Sequence, residues 1–430
     1  MSDNQSTRRT TLPVSEMAEN LIGSEIIKLA ADIHEKIRQG ERIHNFTIGD
    51  FDPAIFPIPA ELNQAIIDAY EHHHTNYPAA NGMLELRKVV ADFLKQRQGL
   101  DYTADEILIS GGARPLIYAT YVTLLDPGDT VVFPVPSWNN NHYCHLSGAK
   151  PVFVETRPEN NFMPTADELR PYLKDATLLA LCSPLNPTGT IFSQSQLEAI
   201  CDLVVEENKR RGTSGKPLYL MYDQIYWVLT FGDTIHYDPI RLRPELRDYT
   251  IFVDGLSKSL AATGVRVGWA FGPQRIIDKM KAILSHIGAW APKAEQVASA
   301  EYLKQSDQVD RFLSSFKKEV AERLDGFYQG FERLRKAGHP VEAIAPQAAI
   351  YLTVKFDLTG RKKKDGSPLA DQKAVTQHLL NEAKLAVVPF SAFGASDHSP
   401  WYRLSVGTCD KHKIADVFSQ LEKVLGELSA

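Results

Sequence analysis

Lys258 lies in the stretch DGLSKSLAATGVRVG, with Arg266 eight residues further on. The preceding run TIFVD, Thr250 to Asp254, is β-branched and aromatic and is bounded by Gly255, so it reads as a buried strand that delivers the lysine to its carboxyl end. A lone lysine beside glycine is ordinarily a solvated loop residue, and its neighbours decide otherwise. Asp223 ends the apolar run Leu218 to Tyr222 with no Lys or Arg close in sequence, and a carboxylate leaving an apolar strand needs a cation to meet it. Ile107 to Ile109 runs into SGGARP, whose glycines let backbone N–H groups approach an anion at the start of the next helix. Val131 to Val135 runs into PSWNNNHY and presents Trp138, either as a stacking platform or as core. Leu178 to Cys182 runs into SPLNPTG, a loop stiffened by proline that presents Asn186.

In an open parallel sheet, ligands bind beyond the carboxyl ends of the strands. A phosphate cup, a stacking aromatic, a buried acid and a lysine on separate strand ends together suit a planar, phosphorylated, cationic heterocycle that carries an aldehyde. Pyridoxal 5'-phosphate meets each demand. Lys258 would bond to the aldehyde, which requires the amine neutral although a free lysine keeps its proton to pH ~10.4. Asp223 would keep the pyridine nitrogen protonated, and Arg266 would meet the phosphate with its forked guanidinium.

The elements that must position these residues are legible in the pattern. A first amphipathic helix runs from Ser24 to Arg38, with Ile26, Ile27, Leu29, Ala30, Ile33 and Ile37 at helical spacing and Gly40 as a stop. The following NFTIGDFDPAIFPIP suits a linking arm better than a core element. Helices are expected over Glu61 to His74, from Met83, over Arg114 to Leu125 and over Gln194 to Arg210. Short β-rich runs lie at Ile107 to Ile109, Val131 to Val135, Val152 to Val154, Leu178 to Cys182, Leu218 to Tyr222, Ile251 to Val253 and Val267 to Phe271. Strands alternating with helices imply right-handed crossovers and an α/β fold with a mostly parallel, seven-stranded sheet covered on both faces. A helix from Gln274 to Ser285 and a long one from Ala294 to Leu334 lead to a smaller α/β region. That region holds a strand from Ala349 to Phe356, a basic turn GRKKKDGSP, a helix from Ala374 to Glu382, strands near Ala386 and Arg403 and a terminal helix from Lys411. The division expected is residues 1–57 as an arm and helix joining the small domain, 58–300 as the large domain and 301–430 as the small one.

Composition sets the outer bounds. A chain of 430 residues is long enough for two or three domains. With 47 basic and 53 acidic residues its net charge is −6, which suggests neither a nucleic-acid partner nor an anionic membrane. No run approaches the ~18 apolar residues of a membrane span. The polar start MSDNQSTRRTTLPVS lacks the apolar segment of a secretory signal. Cys144, Cys182, Cys201 and Cys409 form no CxxC pair, so a cytoplasmic setting is the simpler reading, with neither a disulfide framework nor a metal site. His72, His73 and His74 are adjacent on one helix and point in different directions, which makes a poor metal cage.

Taken together, these motifs resemble those of the class I/II pyridoxal-phosphate aminotransferases, fold type I, of the aspartate aminotransferase superfamily, from Gly49 to Arg403. The resemblance implies transamination by a ping-pong route between an amino acid and a 2-oxo acid, with Lys258 as the catalytic base. It implies that Asn186 and Tyr226 of DQIY meet the cofactor's ring oxygen, that Asp223 meets its ring nitrogen, and that Trp138 stacks on the ring. Gly111, Gly112, Ala113 and Arg266 would hold the phosphate. Tyr77 of YPAANGMLELR would reach the phosphate of a neighbouring subunit in a homodimer with shared sites. Arg403 of WYRLSVG would grip the substrate's α-carboxylate beneath Gly49. Three residues before the lysine, many relatives carry a serine where this chain has Gly255, so that phosphate donor is either lost or supplied elsewhere, with Ser257 as the candidate hydroxyl. The same motifs suit a β-eliminating carbon–sulfur lyase. A transcriptional regulator would need a DNA-binding module, for which the short polar start leaves no room. Arg114 is a candidate for the second carboxylate of an acidic substrate, although one residue along a helix turns a side chain by ~100°. Trp290 and Asn139 to Asn141 are candidates for the pocket wall or for structure alone.

Overall fold

The computed structural model describes residues 14–21, 25–213 and 215–429. Most of the polar start and the expected helix origin at Ser24 lie outside them. The first long helix is Glu25–Arg38, and from its apolar stripe Leu29 and Ile33 pack against Leu380 and Ala386.

The seven strands read from the sequence form one sheet: β1 (Ile107–Ser110), β2 (Thr130–Val135), β3 (Lys150–Glu155), β4 (Ala176–Cys182), β5 (Tyr219–Asp223), β6 (Thr250–Gly255) and β7 (Gly268–Phe271). Their order is β1-β7-β6-β5-β4-β2-β3, and all run parallel except β7, which is antiparallel to both of its neighbours. The inner strands read as unbroken apolar runs because both faces are covered. In β4, Leu178 and Ala180 join one core, while Leu179 and Leu181 join the other. Helices Ala113–Leu124 and Gln274–Ile287 contribute Leu116, Ile117, Ile277, Met280 and Leu284 to the first of these cores. Helices Leu84–Gln98 and Gln194–Arg211 contribute Leu86, Val90, Leu197 and Val204 to the second. Ser193 opens the latter helix in a reciprocal capping box with Gln196.

Two expectations are corrected. The long helix from Ala294 to Leu334 is two, Lys293–Leu303 and Ser306–Lys336, broken where Gln305 leaves helical geometry at φ −94°, ψ 69°. The first packs on helices Ala60–Glu71 and Leu84–Gln98, and the second on the strands of the smaller sheet, so the break marks a change of packing partner. The arm is also more than a link. Phe46, Phe51 and Phe56 are buried in the main core, with Phe51 and Phe56 meeting Phe316 edge-on or tilted at 5.3 and 5.6 Å between ring centroids.

The smaller sheet holds β8 (Val341–Ala343), β9 (Tyr351–Phe356), β10 (Val388–Pro389) and β11 (Trp401–Ser405), all antiparallel, in the order β10-β11-β9-β8. A short parallel pair, His44–Asn45 with Leu385–Ala386, ties the arm to this region. The Phe46 N–H donates to the Ala386 carbonyl, the Ser405 N–H to the Phe46 carbonyl and the Asp52 N–H to the Gly407 carbonyl. Among the described residues, no helix is long and apolar enough to cross a membrane.

Candidate active site

A cavity of about 650 Å³ opens beyond the carboxyl ends of β4, β5 and β6, between the large sheet, the arm and the small sheet. Gly49, Ala113, Trp138, Asn186, Asp223, Tyr226, Ser257, Lys258, Arg266 and Arg403, scattered through the chain, all line it. Of the remaining candidates, Arg114 and Asn140 also line it, while Trp290 stands outside, edge-on to Tyr77 with ring centroids 5.2 Å apart. Tyr77 is 81% exposed and does not line this cavity.

Lys258 projects from a one-turn helix, Leu256–Ser259, that follows β6. Its Nζ donates to the Gly49 carbonyl at 2.5 Å. Burial pulls its pKa down to about 8, partly offset by Asp50 and reinforced by the nearby Arg403, Arg114 and Arg266 guanidiniums. Desolvation disfavours the ammonium, so a useful share of the amine is neutral near physiological pH.

Asp223 ends β5 and takes one hydrogen bond, from the Ile225 N–H at 3.1 Å. It forms no ion pair among the described residues, and burial pushes its pKa up to about 6. The loop it opens is braced from below. Asp254, buried at the end of β6, accepts from Trp227 Nε1 at 2.8 Å, from Gln224 Nε2 at 3.4 Å and from the Gly255 N–H at 2.7 Å. One carboxylate thereby ties the loop of Asp223 and Tyr226 to the turn of Lys258.

Arg403, on β11, is 1% exposed. Its Nη1 donates to Asn186 Oδ1 at 2.9 Å and its Nη2 to the Thr47 carbonyl at 2.7 Å, while its Nε has no partner among the described residues. A buried guanidinium without a carboxylate is costly unless an anion completes it.

The close packing beside Lys258 explains Gly255. A Cβ there would stand 2.7 Å from the Gly268 Cα, and one on Gly268 would stand 2.6 Å from the Gly112 carbonyl carbon. Backbones of β6, β7 and the loop after β1 are stacked so tightly that a serine at 255 has no room. Ser257 instead faces the cavity and makes no hydrogen bond among the described residues. Arg266, at φ +59°, donates to the Gly111 carbonyl at 2.7 Å and to the Thr263 carbonyl at 2.8 Å. The Gly111 and Gly112 N–H groups are already spent, on the Ala289 and Ser110 carbonyls. The donors left at this corner are the Ala113 and Arg114 N–H groups, at the positive end of helix Ala113–Leu124.

Sequence reasoning missed Tyr351, Asp50 and Thr263. The Tyr351 hydroxyl lies 2.6 Å from that of Tyr226, and Thr263 Oγ1 donates to Asp50 Oδ1 at 2.6 Å. Alternation along AAIYLTVKF could have found Tyr351, since it shares a sheet face with Arg403, whose register partner is Thr353. Nothing in the local sequence signals the contact between Asp50 and Thr263.

Residues 41–421 match the family model for aminotransferase class I and II. A probable aspartate/prephenate aminotransferase of Rickettsia felis is 31% identical over 378 residues, covering 87% of this chain and 88% of that protein. The crystal structure of the aspartate aminotransferase from Rhizobium meliloti superposes with a TM-score of 0.88 at 26% identity, covering 97% of this chain and 100% of that one. The aspartate aminotransferase of Thermus thermophilus with maleate gives 0.83 at 26% identity, over 96% and 100%. None of these relatives lends support to the lyase alternative.

Proposed function

The chain belongs to the class I and II aminotransferases, a pyridoxal 5'-phosphate-dependent family of fold type I, and from that premise we propose that it transfers amino groups between dicarboxylic amino acids and 2-oxo acids. The observation that carries the acidic preference is Arg114. It lines the cavity, its Cζ lies 5.4 Å from the Trp138 ring centroid, and it has no hydrogen bond or ion pair among the described residues. Arg403 and Arg114 thus offer two guanidiniums to two carboxylates. The relatives named for aspartate agree with this preference.

The residues fit the cofactor. Among the described residues, Asp223 lacks a cation and Ser257 Oγ and the first N–H groups of helix Ala113–Leu124 lack partners, and Trp138 borders the same cavity. When bound, pyridoxal phosphate supplies an electron sink for the pair left on the substrate's Cα. Asp223 keeps the ring nitrogen protonated. Asn186 and Tyr226 orient the ring oxygen, and Trp138 covers one ring face. Arg266, Ser257 and the Ala113 and Arg114 N–H groups hold the phosphate, in a corner whose shape depends on Gly111 and Gly112. Arg403 binds the α-carboxylate and so aims the Cα hydrogen at Lys258. Lys258 Nζ would take that proton as the general base and later give it up as the general acid, a role that contributes roughly 10²–10⁴-fold. Gly49, in the arm, covers the amine and excludes water.

We further propose a homodimer in which Tyr77 completes the neighbour's phosphate site. Its exposure, outside its own cavity, supports that reading. The division at 57 and 300, with residues 1–57 joining the small domain, accords with the arm's backbone bonds to Ala386, Ser405 and Gly407. A cytoplasmic setting suits its unpaired cysteines.

The test is a panel of amino donors against 2-oxoglutarate, oxaloacetate and pyruvate. Aspartate and glutamate are expected to lead, and Arg114→Ala should cost them about 10- to 100-fold in kcat/KM while sparing alanine, in line with the loss of one charge-assisted contact. Equal losses for acidic and neutral donors would remove Arg114 from substrate recognition.

A further inference from the structure

We propose that Tyr351 is a positioning residue of this site: its hydroxyl donates to the Tyr226 hydroxyl, leaving the Tyr226 proton free for the cofactor's ring oxygen. The inference rests on the cofactor reading above, and it concerns a residue that lies outside every motif of that reading.

The two oxygens are 2.6 Å apart and buried. Each phenol carries one proton, so one hydroxyl must donate and the other accept. The surroundings decide which. The Arg403 guanidinium stands over the Tyr351 ring with its Cζ 4.7 Å from the centroid, and a fixed positive charge at a ring face makes that phenol the readier donor. Lys258 Nζ is the corresponding cation for Tyr226, at 6.0 Å, and burial holds back its charge. Burial raises the pKa of both phenols. The guanidinium pulls both back down, but for Tyr351 it is the largest influence after burial, whereas for Tyr226 it ranks behind the Tyr351 partner, which adds to the rise.

Tyr351 is held from several sides. Its hydroxyl sits against the arm, since a Cβ on Gly49 would come within 2.8 Å of it. Its carbonyl oxygen packs against Gly189, at the end of the Asn186 loop, where a Cβ would overlap it. Along the β9–β11 pair, Tyr351 lies opposite Ser405 and Thr353 opposite Arg403. One strand pair therefore delivers both the guanidinium that grips substrate and the hydroxyl that sets the direction of the Tyr226 proton.

The experiment compares Tyr226→Phe, Tyr351→Phe and the double variant, each loaded with cofactor. Cofactor dissociation is measured by dialysis, together with the pH midpoint of the bound cofactor's visible absorption band and the melting temperature of the cofactor-free proteins. Y351F is expected to weaken cofactor retention roughly 2- to 10-fold, the scale of one hydrogen bond, and to move the spectral midpoint in the same direction as Y226F. The double variant should match Y226F within about two-fold, because a residue acting through another adds nothing once that other is gone. A purely structural role would lower the melting temperature and leave the spectral midpoint in place, which overturns the proposal. Additive losses in the double variant, or a defect in Y226F with none in Y351F, overturn it as well. A Y226F protein that holds cofactor like the parent overturns the Tyr226 assignment and the proposal with it.

Discussion

Asp223 illustrates how a single residue can trade stability for chemistry. Its folded pKa, about 6, lies above the ordinary carboxylate value of 3.8, because burial penalises the charge and only the Ile225 N–H compensates. Between those two values the folded protein holds a proton that the unfolded chain releases. This group therefore favours the fold increasingly as pH falls from about 6 towards 4, and above pH 6 it imposes a penalty of at most about 3 kcal/mol. Asp223→Asn removes the charge and keeps the shape. The cofactor-free variant is expected to resist urea better than the parent at pH 7, by on the order of 1–3 kcal/mol, with the difference vanishing near pH 4. Its turnover with cofactor should collapse, because the amide cannot keep the ring nitrogen protonated. A cofactor-free Asn variant less stable than the parent at pH 7 would sink this account of Asp223.

At the scale of elements, the loop Ser183 to Gly189 does the most. It presents Asn186 to the cavity and is sewn to the small sheet. The Ala348 N–H donates to the Gly189 carbonyl, Thr353 Oγ1 donates to the Thr188 carbonyl at 2.8 Å, and Gly189 itself, at φ +71°, is pressed against the Tyr351 backbone. Gly189→Ala introduces both a disfavoured conformation and an overlap with backbone that cannot step aside. A loss of about 2–4 kcal/mol is expected, read from the denaturation midpoint, and an unchanged midpoint would contradict the packing. Elements of this kind also mark how far the sequence could be read. All seven strands of the large sheet were legible, because apolar runs between turn residues leave few alternatives. So was the company of Lys258, Asp223 and Asn186, each of which ends or follows such a run, while Arg403, inside a strand of the small sheet, was found only through the WYRLSVG resemblance. The break at Gln305 was hidden because Lys293–Leu303 and Ser306–Lys336 share one helical periodicity while packing on different neighbours. The burial of Phe46, Phe51 and Phe56 was hidden because a stretch rich in proline carries no period, and only the tertiary fold brings Phe316 to it.

For the whole molecule, the exposed Tyr77 is where a partner would bear on function. A second copy of the chain is the reading advanced above, and it ties function to concentration. Specific activity is expected to fall on dilution in parallel with the dimer fraction seen by sedimentation, and Tyr77→Phe should loosen cofactor roughly 2- to 10-fold, as for one lost hydrogen bond. Full activity in a monomer would refute the shared site.

The backbone bonds that join the arm to the small sheet, from Phe46 to Ala386, Ser405 to Phe46 and Asp52 to Gly407, bear on timing. The Gly49 carbonyl over Lys258 and the Arg403 guanidinium, which itself donates to the Thr47 carbonyl, ride on one piece of the protein. Grip and shelter should then be a single event, with no interval in which a substrate is held while its reactive carbon stands open to solvent. A plain monocarboxylate with no amine to react is expected to shield the bound cofactor from a water-soluble hydride reagent such as borohydride, slowing its reduction. Reduction at an undiminished rate under saturating carboxylate would mean that the two parts move independently.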